Sequence, residues 1–259
     1  MLLKENYLEQ IKLGIKCTNS YGSVNEVISR LNKRDVLIDN QLNGLLFIQN
    51  TRYDFWRLYF YIHDISQIQW CYFRNVSLVA EIVVRTSKKK IWSNTIQIFE
   101  NKGDFKVSNI FNRMFRGKIE MDVSAVDFSS IETAQSKDLR MIQHLLEENF
   151  DLHSSRIPSL EELESLSDTT FLIKENNQIA AFFITQKKGN TLEFKYWLVL
   201  EKYRGKKYGG LLMKRVLTFD PKIERFVSWI NINLDYSIEE HKRQGFKEDG
   251  LSNYVLYRK

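Results

Sequence analysis

The stretch YRGKKYGGLL, residues 203–212, holds three of the 11 glycines of this 259-residue chain, interleaved with one arginine and two lysines. It follows an apolar run, residues 196–200, that is typical of a buried strand. Residues 212–217, directly after it, carry apolar side chains at helical spacing. Glycines at a strand-to-helix junction leave the backbone accessible, and the first amides of a helix have no intrahelical partner. The pattern therefore predicts an anion site, above all for phosphate.

Two common phosphate-binding patterns do not match this stretch. A Walker loop requires Lys and then Ser or Thr after its second glycine, whereas Gly205 and Gly210 have the right interval but are followed by Leu211 and Leu212. The dinucleotide fingerprint GxGxxG is absent. The pattern therefore argues against a nucleoside triphosphate or NAD as the ligand.

The composition is that of a folded protein with an excess of positive charge. The chain is 43% hydrophobic, and its formal net charge is +6, which suits an anionic ligand. The basic residues are scattered, so nucleic acid other than tRNA is a weak expectation. No apolar segment has the length of a membrane span, the N-terminus lacks a signal-peptide pattern, and Cys17 and Cys71 lack metal-ligand spacing. We expect a cytoplasmic protein without a metal or a membrane partner.

The periodicity predicts a mixed α/β fold in both halves of the chain. In the second half we expect the order α, α, β, β, β, loop, α, β, α, β, with a helix from Ser136 and a second helix opened by the capping box of Ser159 and Glu162. In the first half we expect strands at residues 44–49, 55–62 and 78–85, flanked by helices at about residues 24–31 and 91–99. The change in pattern near Gly117 predicts two domains, residues 1–117 and 118–259.

The loop resembles the Arg/Gln-x-x-Gly-x-Gly/Ala motif of the GCN5-related N-acetyltransferases. Residues 204–209, RGKKYG, align with it, and the preceding WLVLEKYRG resembles the strand that enters the loop in that family. Lys207 stands where the family has its middle glycine. Further along, Trp229-Ile230-Asn231 resembles the end of the next strand, and HKRQGFKEDG resembles the segment before the family's last strand. The resemblance covers about residues 126–259.

This resemblance implies a fold, a co-substrate and its contacts. The fold would be a mixed, mostly antiparallel sheet flanked by helices, with the first half a degenerate second copy in tandem. Acetyl-CoA would be the co-substrate, with its pyrophosphate on the loop and its pantetheine arm along the strand before the loop. The cofactor-binding residues implied in this way are Trp197, Leu198, Val199, Arg204, Gly205, Lys206, Lys207, Tyr208, Gly209, Gly210 and Asn231.

Acetyl transfer needs an oxyanion donor, a proton donor for the thiolate and a base for the amine. The resemblance assigns the oxyanion to the Val199 amide and the acid to His241, which stands four residues before the Gly-Phe pair where the family usually has tyrosine. An exposed histidine among charged helix residues is an equally good interpretation of His241. Tyr254 is a substitute acid, and Glu193 is the candidate base, although a strand glutamate is more often a cross-strand partner.

Three functions remain open from the sequence. The first is transfer of an acetyl group from acetyl-CoA to the amine of a small molecule or a peptide. The second is aminoacyl transfer from tRNA, as in known tandem enzymes of this fold, and the third is binding of CoA or a partner without turnover. A monomer is slightly preferred, and the acceptor is not defined.

Overall fold

The computed structural model describes residues 2–20, 24–31, 35–70, 73 and 75–259. Cys71 lies outside the described residues. The chain divides into two compact units: unit 1 comprises Met1–Phe111 and Gly250–Lys259, and unit 2 comprises Asn112–Asp249.

Among its described residues, unit 1 contains three α-helices and a sheet built around an antiparallel meander. The helices are α1 (Leu2–Leu13), α2 (Val24–Leu31) and α3 (Lys89–Gly103), and the strands are β1 (Cys17–Thr18), β2 (Val36–Gln41), β3 (Gly44–Asn50), β4 (Trp56–Ile62), β5 (Leu78–Arg85) and the start of β6 (Lys106–Gly117). Strands β2, β3 and β4 pair antiparallel in this order, and β4 then pairs with β5 in parallel. The last strand of the chain, β12 (Lys247–Arg258), pairs antiparallel with β5 through residues 251–258.

The central strands of unit 1 are buried on both faces because alternate side chains enter two separate cores. Leu46, Ile48 and Phe60 pack into a cluster that includes Phe99 of α3. Their neighbours enter a second cluster with residues of α1 and α2: Leu45, Phe47, Tyr59, Tyr61, Tyr7, Val27 and Leu31.

From Ser136 to Arg243, the helices and strands of unit 2 follow the order that the sequence predicts, but the short strand of residues 131–133 before them was not predicted. Its elements are β7 (Ile131–Thr133), α4 (Ser136–Asn149), α5 (Leu160–Leu166), β8 (Thr170–Glu175), β9 (Gln178–Lys188), β10 (Thr191–Val199), α6 (Tyr208–Thr218), β11 (Arg225–Asn231) and α7 (Asp235–Arg243). Strands β7 to β10 pair antiparallel, and β11 pairs in parallel with β10. The predicted mixed, mostly antiparallel sheet flanked by helices is confirmed.

Local chemistry explains several element boundaries of unit 2. Helix α5 begins at the predicted capping box: the Glu162 amide donates to Ser159 Oγ at 3.1 Å, and the Ser159 amide donates to the Glu162 carboxylate at 2.8 Å. The turn from β8 to β9 holds Asn176 and Asn177 at φ values of 50° and 62°, which match a two-residue hairpin turn. Both signals consist of residues that are close together in the sequence.

Unit 1 differs from the expected pattern in its strands. The run 36–41 forms β2, so the meander consists of β2, β3 and β4, and residues 78–85 form the parallel strand after it. The strand was missed because only one of its six residues is buried. In each unit, two helices precede an antiparallel meander, and a parallel strand followed by a helix comes after the meander; in unit 2, helix α6 lies between the meander and the parallel strand.

The division by contacts also differs from a boundary near Gly117. Unit 2 begins at Asn112, and Gly250–Lys259 belongs to unit 1 because β12 pairs with β5. A pairing between segments so far apart in sequence leaves no trace in local periodicity.

Candidate functional site

Strand β10 loses one of its two neighbours halfway along its length. It pairs with β9 from Thr191 to Val199, but with β11 only from Thr191 to Phe194, opposite Arg225 to Ser228. A bulge between Phe194 and Tyr196 shifts the register at the point where β11 departs. The last part of β10 therefore has an open edge on the β11 side.

Two residues present their backbone groups to this open edge. The Leu200 amide donates to the Ala180 carbonyl at 3.0 Å, so Leu200, and Leu198 two residues before it, direct their backbone groups toward β9. Trp197 and Val199 alternate with them along the strand, so the backbone groups of these two residues point to the open edge. Among the described residues, none pairs with these backbone groups on the open edge. Unpaired strand groups of this kind are satisfied by water or by a ligand.

The glycine-rich loop places the start of α6 next to this edge. Gly205 and Lys207 have φ values of 86° and 63°, and Lys207 is the N-cap residue of α6 without a side-chain cap. The Leu211 amide makes the first helical bond, to the Lys207 carbonyl at 3.1 Å. The amides of Tyr208, Gly209 and Gly210 therefore have no intrahelical partner, and together they form a site for an anion.

The glycines at the start of α6 have different roles. A Cβ atom at Gly209 would lie 3.1 Å from Cζ2 of Trp197 and 3.4 Å from Cγ2 of Val199, whereas one at Gly210 would meet nothing within 4 Å. Gly209 is therefore required for close packing of α6 on β10. Trp197 is held in turn by stacking on Phe183, with 5.3 Å between the ring centroids.

One lysine of the loop is already paired. Lys206 Nζ donates to both oxygens of Glu175, at 2.7 and 2.8 Å, and the Tyr208 hydroxyl donates to the same carboxylate. These hydrogen bonds, from Lys206 first, hold the pKa of Glu175 below its usual value. Arg204 and Lys207 are exposed. The sequence analysis identified Arg204, Lys206 and Lys207 as positive charges of the loop. It did not identify Glu175, which lies at the end of β8.

His241 is buried, with only 3% of its surface exposed. The interpretation of an exposed helix histidine is therefore wrong. Its Nδ1 lies 2.8 Å from the Ser237 carbonyl, which only accepts, so Nδ1 carries the hydrogen and Nε2 has a free lone pair. Burial lowers the pKa of the imidazole.

The rings around His241 are apolar. Its neighbours are Phe194, Trp197 and Phe246, with ring centroids 5.2 to 6.2 Å away. Its Nε2 is buried and has no hydrogen-bond partner among the described residues, and the same is true of Trp197 Nε1. The lowered pKa and the Ser237 contact favour a neutral imidazole whose Nε2 can accept a proton, and a role of His241 as the acid stays a prediction.

Glu193 is engaged in two ion pairs. Its carboxylate lies 2.8 Å from Lys188 Nζ and 3.1 Å from Lys195 Nζ. Burial raises the pKa of Glu193, but the two lysines outweigh this effect and the net pKa is lowered. Glu193 also precedes Val199 by six residues, about 20 Å along a strand. The structure therefore supports the cross-strand partner interpretation of Glu193.

Tyr254 and Asn231 have structural contacts. Tyr254 lies on β12 in unit 1, opposite Ile82, and packs against the Phe99 cluster. Asn231 ends β11, and its Oδ1 accepts from the Asn233 amide at 2.9 Å, which shapes the turn into α7. A role of either residue in catalysis or cofactor binding stays a prediction.

The described residues contain neither a metal site nor a membrane-spanning helix. No group of three or more His, Cys, Asp or Glu side chains is placed to hold a metal ion in this part of the chain. None of its helices is long and apolar enough to cross a membrane.

An open strand edge beside an amide-lined loop is typical of the class of proteins that bind an extended anionic ligand. The comparison with protein families agrees with this class: residues 139–246 match the model of the acetyltransferase (GNAT) family. The match spans less than half of the chain, so it shows that residues 139–246 are similar to that acetyltransferase family. No curated protein matches the sequence.

Solved structures match nearly the whole chain. A GCN5-related N-acetyltransferase from Sphaerobacter thermophilus has a TM-score of 0.59 and 14% identity, over 92% of this chain and 85% of that chain. One from Kribbella flavida has a TM-score of 0.54 and 12% identity, over 92% and 96%. A tandem GNAT protein from the clavulanic acid biosynthesis pathway has a TM-score of 0.56 and 10% identity, over 98% and 93%. At these identities the matches show the fold, and a tandem GNAT fold fits both units.

Proposed function

We propose that unit 2 binds acetyl-CoA and transfers its acetyl group to an amine. The observation that carries the proposal is the open edge of β10, whose unpaired groups at Trp197 and Val199 lie beside the free amides at the start of α6. Acetyl-CoA has the matching chemistry in the same order, because an amide-containing pantetheine arm is joined to a pyrophosphate. Both halves of the site are thus suited to one ligand.

The residues present fit this co-substrate. The amides of residues 208–210 would hold the pyrophosphate, and Arg204 and Lys207 would add positive charge. Backbone groups of Trp197 and Val199 would pair with the pantetheine amides as a neighbouring strand does. Glu175 orients the loop through Lys206 and Tyr208. When bound, acetyl-CoA supplies a thioester carbonyl that a neutral amine can attack.

Two groups of unit 2 would assist the transfer. The Val199 amide points to the open edge and would donate a hydrogen bond to the oxygen that becomes negative during attack. His241 Nε2, with its lone pair, would accept a proton released by the amine, and the resulting imidazolium would then donate to the thiolate. Because Nε2 is buried, this path runs through a water molecule or requires a shift of Trp197.

Calorimetric titration with acetyl-CoA and CoA tests the binding site. We expect the parent protein to bind both, and Gly209→Glu to abolish binding because its side chain would displace Trp197 and add negative charge. Gly117→Glu is the matched control, since it adds the same side chain at an exposed position where the nearest atom to a Cβ lies 4.0 Å away. A folded parent protein that binds neither ligand would refute the proposal and favour a tRNA-dependent transferase or a partner-binding module.

The role of His241 is tested by the rate of thiol release with a panel of amines. We expect His241→Phe to lower kcat by about 100-fold, the lower range for general acid-base catalysis, without changing CoA affinity. An unchanged rate would remove His241 from the mechanism. CoA binding without turnover of any amine would favour a non-catalytic relative.

A further inference from the structure

In unit 1 the edge that corresponds to the open edge of β10 is covered by the chain itself. After α1, the segment of residues 16–19 runs along β4, with Cys17 opposite Ile62 and Thr18 opposite Tyr61. The Lys16 amide donates to the Ile62 carbonyl at 2.9 Å. Strand β1 thus pairs with the edge of β4 that does not face β3.

Asn19 completes this pairing with its side chain. Its Nδ2 donates to the Leu58 carbonyl at 2.9 Å, and its Oδ1 accepts from the Phe60 amide at 3.0 Å. One carboxamide therefore acts as a peptide unit would, with one donor and one acceptor directed at a strand edge. Together with Lys16, it pairs with the Leu58 carbonyl, the Phe60 amide and the Ile62 carbonyl of β4.

The positions covered in unit 1 correspond to those left open in unit 2. Parallel pairing of β4 with β5 ends at Leu58, as that of β10 with β11 ends at Phe194. Phe60 and Ile62 lie two and four residues beyond this point. Trp197 and Val199 lie three and five residues beyond it, and the bulge in β10 accounts for the extra residue. The same cleft is therefore filled in one unit and open in the other.

Burial anchors the segment of residues 16–19 in unit 1. The Cys17 side chain is 6% exposed and belongs to the cluster that contains Phe60 and Phe99. Burial raises the pKa of its thiol to about 12, so the group remains neutral and acts as a small apolar side chain. The connection between β4 and β5, residues 63–77, contains no glycine, so it lacks the loop chemistry of residues 204–210.

We propose that residues 16–19 are a built-in ligand of unit 1. They occupy its counterpart of the CoA cleft, so the protein binds one CoA per chain, in unit 2. The stoichiometry rests on the proposed function, whereas the occupancy of the unit 1 cleft rests on the contacts of Lys16, Cys17 and Asn19 alone. Unit 1 then needs no external ligand to satisfy the edge of β4.

Amide hydrogen exchange without CoA tests the occupancy directly. We expect the Lys16 and Phe60 amides to be protected in the parent protein, and Asn19→Ala to speed exchange at Phe60 by about fivefold, as for the loss of one hydrogen bond. Asn19→Asp retains an acceptor for the Phe60 amide and should preserve its protection. Asn25→Ala, at an exposed position on α2, is the matched control and should leave exchange unchanged.

Calorimetry then separates this inference from the proposed function. One CoA per chain, with Lys16 and Phe60 protected, supports both. No CoA binding with the same protection refutes the proposed function and still supports occupancy by residues 16–19. Two CoA molecules per chain, or exchange at Phe60 as fast as at an exposed amide, would overturn the inference.

Discussion

At the scale of single residues, His241 shows what a motif can and cannot predict. Its spacing to the Gly-Phe pair marked it as a candidate catalytic residue, and the structure places it against Trp197, one of the residues that present backbone groups to the open edge. Its protonation state was not predictable, because that depends on the Ser237 carbonyl and on burial by Phe194 and Phe246. Spacing indicates position, whereas three-dimensional surroundings determine chemistry.

The burial of His241 predicts a pH dependence of stability. Its pKa is lowered in the folded state from an ordinary value of 6.5, so the unfolded chain binds a proton more readily as the pH falls below 6.5. The contribution of His241 to stability is therefore intact above pH 6.5 and decreases below it. We expect the free energy of unfolding of His241→Phe to fall less between pH 7 and pH 5 than that of the parent protein, in urea titrations at each pH. Parallel curves would show that His241 is not buried in neutral form.

Lys207 offers a second test at this scale. It adopts a left-handed φ of 63°, which costs a non-glycine residue about 1 kcal/mol or more. We expect Lys207→Gly to stabilise the protein by about 0.5 kcal/mol after the added entropy of the unfolded chain is subtracted. Lys206→Gly should be destabilising, because Lys206 pairs with Glu175. Thermal unfolding measures both, and destabilisation by Lys207→Gly would contradict the loop geometry.

At the scale of elements, the strand, loop and helix of residues 191–218 were predictable because their signals are local. The apolar run, the glycines and the helical stripe all lie within one short stretch. The departure of β11 from β10 was not predictable, since it depends on a bulge and on pairing with a strand that follows α6. The ion pair between Glu175 and Lys206 joins residues that are 31 positions apart in the sequence, so no local pattern predicts it.

The packing of α6 on β10 predicts opposite effects for two neighbouring glycines. Gly210→Ala should stabilise the protein by up to about 1 kcal/mol, because alanine favours the helix and its Cβ meets no atom within 4 Å. Gly209→Ala should not stabilise the protein, because the added Cβ would lie 3.1 Å from Cζ2 of Trp197. Denaturant unfolding of the two variants provides the comparison. Equal stabilisation by both would mean that α6 does not contact β10 closely.

At the scale of the whole molecule, the sequence was more informative for unit 2 than for unit 1. From α4 to α7, unit 2 follows the predicted order because strands β8 to β11 are apolar and bounded by clear turns. In unit 1, only one of the six residues of β2 is buried, and the return of β12 to β5 joins segments that are far apart in the sequence. The covered edge of β4 depends on a two-residue strand and one asparagine side chain, which are too short to form a pattern.

The contrast between the two clefts predicts a response to CoA that is confined to one unit. A ligand at 100 times its dissociation constant stabilises the state that binds it by about 2.7 kcal/mol. We expect CoA to slow amide exchange in residues 196–210 of unit 2, where backbone groups are unpaired, and to leave residues 56–62 of unit 1 unchanged. In the Gly209→Glu variant, CoA should change exchange in neither segment, because the variant does not bind it. Slower exchange in residues 56–62 of the parent protein on addition of CoA would mean that the ligand displaces residues 16–19, contrary to the hydrogen bonds that Lys16 and Asn19 make with β4.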